Sequence, residues 1–220
     1  MNSKQHPLVV VYHLLDAENL ASVRKLGLLS TRRLVEASGD ANPQTLRRHR
    51  AKGERLASGA KIRDQRPMPP LALARALGSG LVPEDWYALL NAKVFFWLDV
   101  ERLNRQRAAC GSSPQVALVM DARRMLDDYK ASAFVSPINT GNAMRAPARR
   151  NLTTFVPYER WRVDAWQHEV IEGQPARPRT HRPVELTIDE AIPNAMSYVL
   201  EVIPLPWGQK LMKDARAAAA

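Results

Sequence analysis

The sequence has one cysteine, Cys110, in 220 residues. An internal disulfide is excluded, and so is a zinc site built on several thiolates. Such sparing use of cysteine suits a reducing compartment and predicts a protein of a bacterial-type cytoplasm. No apolar run approaches ~18 residues, the length read as a membrane span. The opening MNSKQHPL lacks the charged-then-apolar layout of a secretion signal. Several catalytic signatures are missing as well: GxSxG, HExxH, GxGxxG after a strand, and GxxxxGK[ST]. Their absence removes the nucleophile-elbow hydrolases, the zincins and the two usual phosphate-cradling loops. The five histidines (His6, His13, His49, His168, His181) are scattered, and no carboxylates gather at ligand spacing, so no metal is expected. There is no internal repeat.

Acidic residues are also in short supply. Asp and Glu total 22 against 32 Lys and Arg, a net charge of +10. The excess is uneven: residues 24–66 hold twelve Lys/Arg and four Asp/Glu, and arginine dominates. A guanidinium fork suits phosphate. A solvated basic face and a phosphate-rich partner, either nucleic acid or a dinucleotide, both explain the pattern.

Apolar residues make up 45% of the chain, enough for a core. Residues 8–12 form an apolar, partly β-branched run without alternation, which reads as a strand buried on both faces. His13 then stands where that strand should meet a turn. Asp16 can cap a following helix, and Gly27 can end it. Short helices are expected at 30–37, 71–77 and from Pro83, with a basic helix from Asn42-Pro43 to about residue 56. KVFFWL at 93–98, QVALVM at 115–120 and SAFVS at 132–136 read as strands. Asp99 and Asp121 cap the helices after the first two. Residues 142–182 form a loop-rich insertion with several prolines and arginines. Residues 184–188 and 197–203 read as a closing pair of strands, and 210–220 as a tail. Helices come mostly early and strands mostly late, so the expected class is α+β with a mixed sheet and helices clustered in the N-terminal half.

Polar residues at the expected strand ends are the candidates for chemistry. Glu185 is the oddest of them, lying between Val184 and Leu186 in an apolar strand. Such a carboxylate faces either solvent or a cleft. Asp64 and Gln65 of IRDQ either bind a ligand or brace a loop. Asn139 and Thr140 of SPINTG either offer contacts or simply make a turn. Phe95, Phe96 or Trp97 either stacks on a ring or fills the core. Trp161 and Trp166, set among arginines, either stack on bases or pack their loop.

The stretch YHLLDAENLASVRKLGLLS resembles the first motif of the DarT-type ADP-ribosyltransferases, bacterial toxins that modify DNA bases. The matching residues are Tyr12-His13, Asn19-Leu20 and Gly27-Leu28-Leu29. IRDQRPM, residues 62–68, is similar to a segment of that family ending in Pro-Met. PVELTIDEAIPNAMSYV resembles its closing motif through Glu185, Ile192-Pro193 and Tyr198-Val199. Over nearly the whole chain the sequence is similar to an uncharacterised bacterial family carrying IRDQ, PEDWY, VFFWL and SPINTG. The resemblance to DarT covers the two ends and part of the middle. Leu14-Leu15 depart from the polar residues usual after the DarT histidine.

The DarT resemblance implies an ADP-ribosyltransferase-like split sheet over residues 1–209 that grips NAD. It implies that His13 positions NAD, that an arginine meets the pyrophosphate, and that Glu185 carries the transfer. Arg63 is the first choice of arginine, with Arg47, Arg48 and Arg50 as rivals. Further implied NAD contacts are Tyr12, Leu15, Asn19, Asp64, Gln65, Phe96, Ser136, Asn139 and Thr140. A nucleic acid is the favoured acceptor, met by Arg47, Arg48, Arg50, Arg149, Arg150 and Trp161, and an antitoxin protein is a possible partner. No membrane is implied. Two alternatives stay open: an RNA 2′-phosphotransferase-like enzyme, and a non-catalytic nucleic-acid-binding module on the same scaffold.

Overall fold

The computed structural model describes residues 6–40 and 42–212. Strand β1 (Val10–Asp16) leads through a 3-10 turn to α1 (Leu20–Leu26), β2 (Leu28–Leu29) and α2 (Thr31–Ala37). A hairpin of β3 (Glu54–Arg55) and β4 (Lys61–Ile62) follows, then α3 (Pro70–Ala76), α4 (Pro83–Asn91), β5 (Lys93–Trp97) and α5 (Val100–Ala109). Next come β6 (Gln115–Asp121), α6 (Ala122–Tyr129), β7 (Ala133–Ser136), β8 (Val156–Pro157) and α7 (Tyr158–Asp164). The chain then forms β9 (Glu185–Asp189), β10 (Ala191–Ile192) and β11 (Val199–Leu205). Strand ends double as helix starts: Ser30, Asp99 and Asp121 each accept the N–H three residues on, which satisfies a donor that the first helical turn leaves open.

Seven strands make one sheet in the order β11-β6-β1-β5-β9-β7-β8. The class is α+β, as the sequence suggests. Every ladder in this sheet is antiparallel, so the sheet is not mixed; a parallel bridge links Leu77 and Arg150 outside it. β1 pairs with β6 along all seven of its residues, whereas it meets β5 only at Tyr12–Trp97. The sheet is therefore two well-paired leaves joined at one rung.

One face of the sheet carries Val11, Phe96, Val135 and Leu186 into a continuous core with Met125 and Leu126 of α6, Tyr158 and Trp166. The other face is covered twice. α3 and α4 bring Leu73, Trp86 and Leu90 over Phe95 and Phe134. α5 brings Val100 and Leu103 over Tyr12, Leu14 and Trp97.

Several expectations need correction. β1 runs on through His13, which is the fourth of its seven residues rather than a strand end; Leu14 and Leu15 supply the missing apolar length, and polar Asp16 stops it. The basic helix after Asn42 shrinks to a 3-10 turn, Pro43–Leu46. Residues 47–55 lack an apolar stripe to lay on a core, and helix propensity alone does not hold so short a segment. The closing strands are not a pair: β9 lies between β5 and β7, while β11 forms the far edge on β6. The insertion contributes β8 and α7, and its Trp166 is fully buried. Residues 210–212 of the expected tail have no regular structure, and 213–220 lie outside the described residues.

Gly27 shows what the Gly-Leu-Leu step requires. Its φ of 78° and ψ of −166° lie in a region essentially reserved for glycine. A Cβ there would stand 2.2 Å from the Ile192 carbonyl oxygen. β2 pairs with β10 immediately beyond it, Leu28 opposite Ile192. Gly27→Ala is expected to cost about 3 kcal/mol or more in urea unfolding, from strain and the forced separation of β2 from β10.

Candidate active site

Where β1 and β5 part, backbone carbonyls on both strands lose their ladder partners. Side chains replace them. His13 Nδ1 donates to the Phe95 carbonyl at 2.8 Å. Arg63 Nη2 donates to the Leu14 carbonyl at 3.0 Å and to Gln115 Oε1 at 2.6 Å, while Nη1 reaches Cys110 Sγ at 2.8 Å. Burial is the main cause that lowers the His13 pKa to about 4; the Phe95 bond opposes this, and the Arg63 charge adds to it. The ring is neutral at pH 7. Because a carbonyl only accepts, Nδ1 holds the proton and Nε2 is left as an acceptor.

Glu185 lies two strands away. Register fixes its direction: Tyr12 opposes Trp97, and Trp97 opposes Glu185, which also opposes Ser136. Directly opposed residues share a face. Tyr12, Trp97, Glu185 and Ser136 therefore point to the side of α5, and His13 points to the other. The single cleft lined by both His13 and Glu185 is not formed; adjacent residues of a pleated strand alternate, and His13 is one residue past the rung.

The Glu185 side is the richer one. The carboxylate is 3% exposed. It accepts the Thr140 backbone N–H at 3.2 Å and the Thr140 hydroxyl at 2.7 Å. Burial raises its pKa to about 7; the Thr140 bonds and then the charges of Arg150 and Arg102 hold it down. A carboxyl poised near neutrality suits proton transfer. Beside it Trp97 is partly exposed and donates Nε1–H to Gln106 Oε1 at 2.7 Å. Tyr12, Phe95 and Phe134 are partly exposed on the same face. Tyr12 and Trp97 thus pack under the α5 cover and Phe95 and Phe134 under the α3–α4 cover, with Glu185 opposite Trp97 on the same face and Arg63 at the split.

The other anticipated residues fall as follows. Phe96 (1% exposed) and Leu15 are in the opposite core, because alternation turns Phe95 and Trp97 to the face under α3–α4 and α5. Asn19 braces the hairpin, exchanging two hydrogen bonds with the Lys61 backbone. Asp64 accepts from Arg66 N–H, and buried Gln65 exchanges bonds with the Arg50 backbone. Ser136 bonds within its own turn to Ile138, and Asn139 accepts from Gly141 N–H. Arg47 pairs with Asp85 and Arg48 with Glu54. Arg50 and Arg150 are buried, so neither offers its guanidinium at the surface, whereas Arg149 is exposed. Trp161 is partly buried against Tyr158 and Trp166. Arg102 and Gln106 escaped the sequence reading. Their signal was positional: Asp99 caps α5, so both fall on the turns that follow the VFFWL strand.

His13 and Glu185 pull stability in opposite directions with pH. A base whose folded pKa is lowered loses stability as pH falls from about 6.5 to about 4. An acid whose folded pKa is raised loses it as pH rises from about 4.5 to about 7. The two largely offset between them, with the partly exposed ring giving the smaller contribution. His13→Gln should unmask the acid: its melting temperature, compared with wild type, should fall more steeply from pH 4.5 to 7.

No curated protein matches the chain. Among solved structures, the DarT of Thermus sp. 2.9 in complex with NAD+ is similar over 89% of this chain and 81% of that one, at 12% identity and a TM-score of 0.38. A model described as a family of unknown function (DUF7002) matches residues 9–199, and the chain belongs to that family.

Proposed function

We propose that the protein is an NAD-dependent mono-ADP-ribosyltransferase with a nucleic acid as acceptor. The observation that carries this reading is Glu185: a buried carboxyl held near neutrality, opposite Trp97 on the rung where the sheet splits. The motif resemblance around Tyr12-His13, Gly27-Leu28-Leu29 and Glu185 supports it. In the reaction the bond from ribose C1′ to the nicotinamide nitrogen breaks, and nicotinamide leaves with the electron pair. The sugar becomes oxocarbenium-like, as in glycoside cleavage. Ionised Glu185 stabilises that cation and takes the acceptor's proton as the new bond to C1′ forms. Trp97 or Phe95 offers a surface for the nicotinamide ring. Arg63 is the pyrophosphate ligand, exchanging neutral partners for phosphate. His13 is a positioning residue here, since it holds the split from the far face through Phe95. Asn19, Asp64 and Gln65 brace this arrangement. The net charge of +10 favours a polyanionic acceptor.

Glu185 is closed off by the Thr140 turn, so turnover requires that turn to move. That closure favours a second reading, a nucleic-acid-binding module without turnover. The deciding experiment incubates the protein with NAD and either single-stranded DNA or RNA and measures free nicotinamide and adduct mass. Nicotinamide release with an adduct of ADP-ribose mass supports the transferase. Salt-sensitive binding without any release supports the module and ends the proposal.

A further inference from the structure

Buried charges with no direct ionic partner are costly, and this molecule keeps two near each other. Arg150 is 1% exposed. Its three nitrogens all donate to backbone carbonyls: Nη1 to Thr140 at 2.9 Å, Nη2 to Asn142 at 2.8 Å and Nε to Ala148 at 3.1 Å. Trp86 Nε1–H donates to the same Thr140 carbonyl at 3.2 Å. Thr140 in turn gives its N–H and hydroxyl to Glu185. One residue thus has its oxygen held by a cation and its donors spent on an anion.

The backbone of Arg150 is equally fixed. Its N–H donates to the Ala76 carbonyl, and its own carbonyl accepts from Gly78, both at 2.8 Å. The backbone of Arg150 is anchored at the C-terminal end of α3, and its guanidinium reaches from there to the turn. The SPINTG turn is otherwise free to choose among several geometries; here three carbonyls converge on one planar fork, which selects one of them.

We infer that Arg150 is the positioning residue of Glu185: through Thr140 it holds the carboxylate in place and favours its ionised form. The groups facing Glu185 are few. They are Thr140 from the turn, Arg150 from the segment behind it, and Arg102 from the first turn of α5; Trp97 and Ser136 oppose it on the sheet. His181 lies one step further off, bonded to the Pro137 carbonyl at 3.1 Å. Arg102 pairs with Asp99 and is more than a third exposed, so water screens it. Arg150 is buried, with no acidic side chain in salt-bridge contact among the described residues, so water screens its charge on Glu185 less than that of Arg102.

This inference rests on the transferase reading only for its consequence in turnover; the link itself is testable without NAD. Titration of carbon-13-labelled glutamate by NMR follows Glu185 directly. In wild type, the Thr140 amide and the Arg150 Nε–H resonances should shift with the same midpoint as Glu185. In Arg150→Met that midpoint should rise by about one pH unit, which at pH 7 takes the ionised share from about a half to about a tenth. Arg150→Lys, which keeps the charge and loses the fork, should restore part of the shift. If the Met variant does not fold, the Lys variant and the wild-type resonances decide. An Arg150 resonance flat through the Glu185 titration, or an unmoved midpoint in a folded variant, overturns the inference. If NAD turnover exists, the acid limb of its pH profile should move with the midpoint. A moved midpoint in a protein that never cleaves NAD would keep the link and sink the transferase.

Discussion

Glu185→Gln is expected to abolish nicotinamide release while making the protein more stable above neutral pH. Gln keeps the shape of Glu185 but neither stabilises a cationic sugar nor takes a proton, and losses of about 10²–10⁴-fold are usual when an acid–base group goes. The stability gain follows from the same burial. With a folded pKa near 7 against about 4.5 for a free side chain, ionising Glu185 costs the native state about 3 kcal/mol by pH 8. Gln removes that cost but turns an amide NH2 toward the Thr140 N–H, which returns part of it. The net gain should be about 1–2 kcal/mol at pH 8, fading toward pH 5, where wild-type Glu185 is already protonated. Urea midpoints at the two pH values check this. Equal stability of both proteins at pH 8 would show that the carboxyl is not strained by burial, and full turnover in the variant would remove it from the chemistry.

Trp86→Ala should be the most damaging core change. The ring is fully buried, packs on Phe155 with centroids 5.8 Å apart, and bonds through Nε1 to Thr140. Truncating a buried aromatic of this size costs about 3–5 kcal/mol, and the orphaned Thr140 carbonyl keeps only Arg150. Trp86→Phe separates the two contributions. It retains most of the packing and loses only the hydrogen bond, so it should cost about 1–2 kcal/mol and loosen the Thr140 turn. Amide exchange at Thr140, read alongside unfolding, should be faster in the Phe variant than in wild type.

Much of the local structure was legible in the chain. Asp99 and Asp121 marked helix starts, Gly27 a helix end, and KVFFW a strand, because caps and β-branched runs act over a few residues. Two long-range facts were not. The apolar character of β9 and β11 said that both were buried, yet nothing local told that residues 190–198 carry the chain to the opposite edge of the sheet. The fates of Arg50 and Arg150 were equally hidden. A basic stretch reads as surface, and only the fold reveals that these two guanidinia lie inside. The oddity of Glu185 was visible from its apolar neighbours, but its side of the sheet was not. That direction depends on the Tyr12–Trp97 rung, which joins residues 85 positions apart in sequence.

The same rung sets the mechanics of the sheet. A ladder resists bending in proportion to its hydrogen bonds, and between β1 and β5 that ladder dwindles to one backbone pairing plus the tie of His13 to the Phe95 carbonyl. Twisting the β11-β6-β1 leaf against the β5-β9-β7-β8 leaf breaks little else in the ladder, so compliance is concentrated along one seam running past Tyr12 and Trp97.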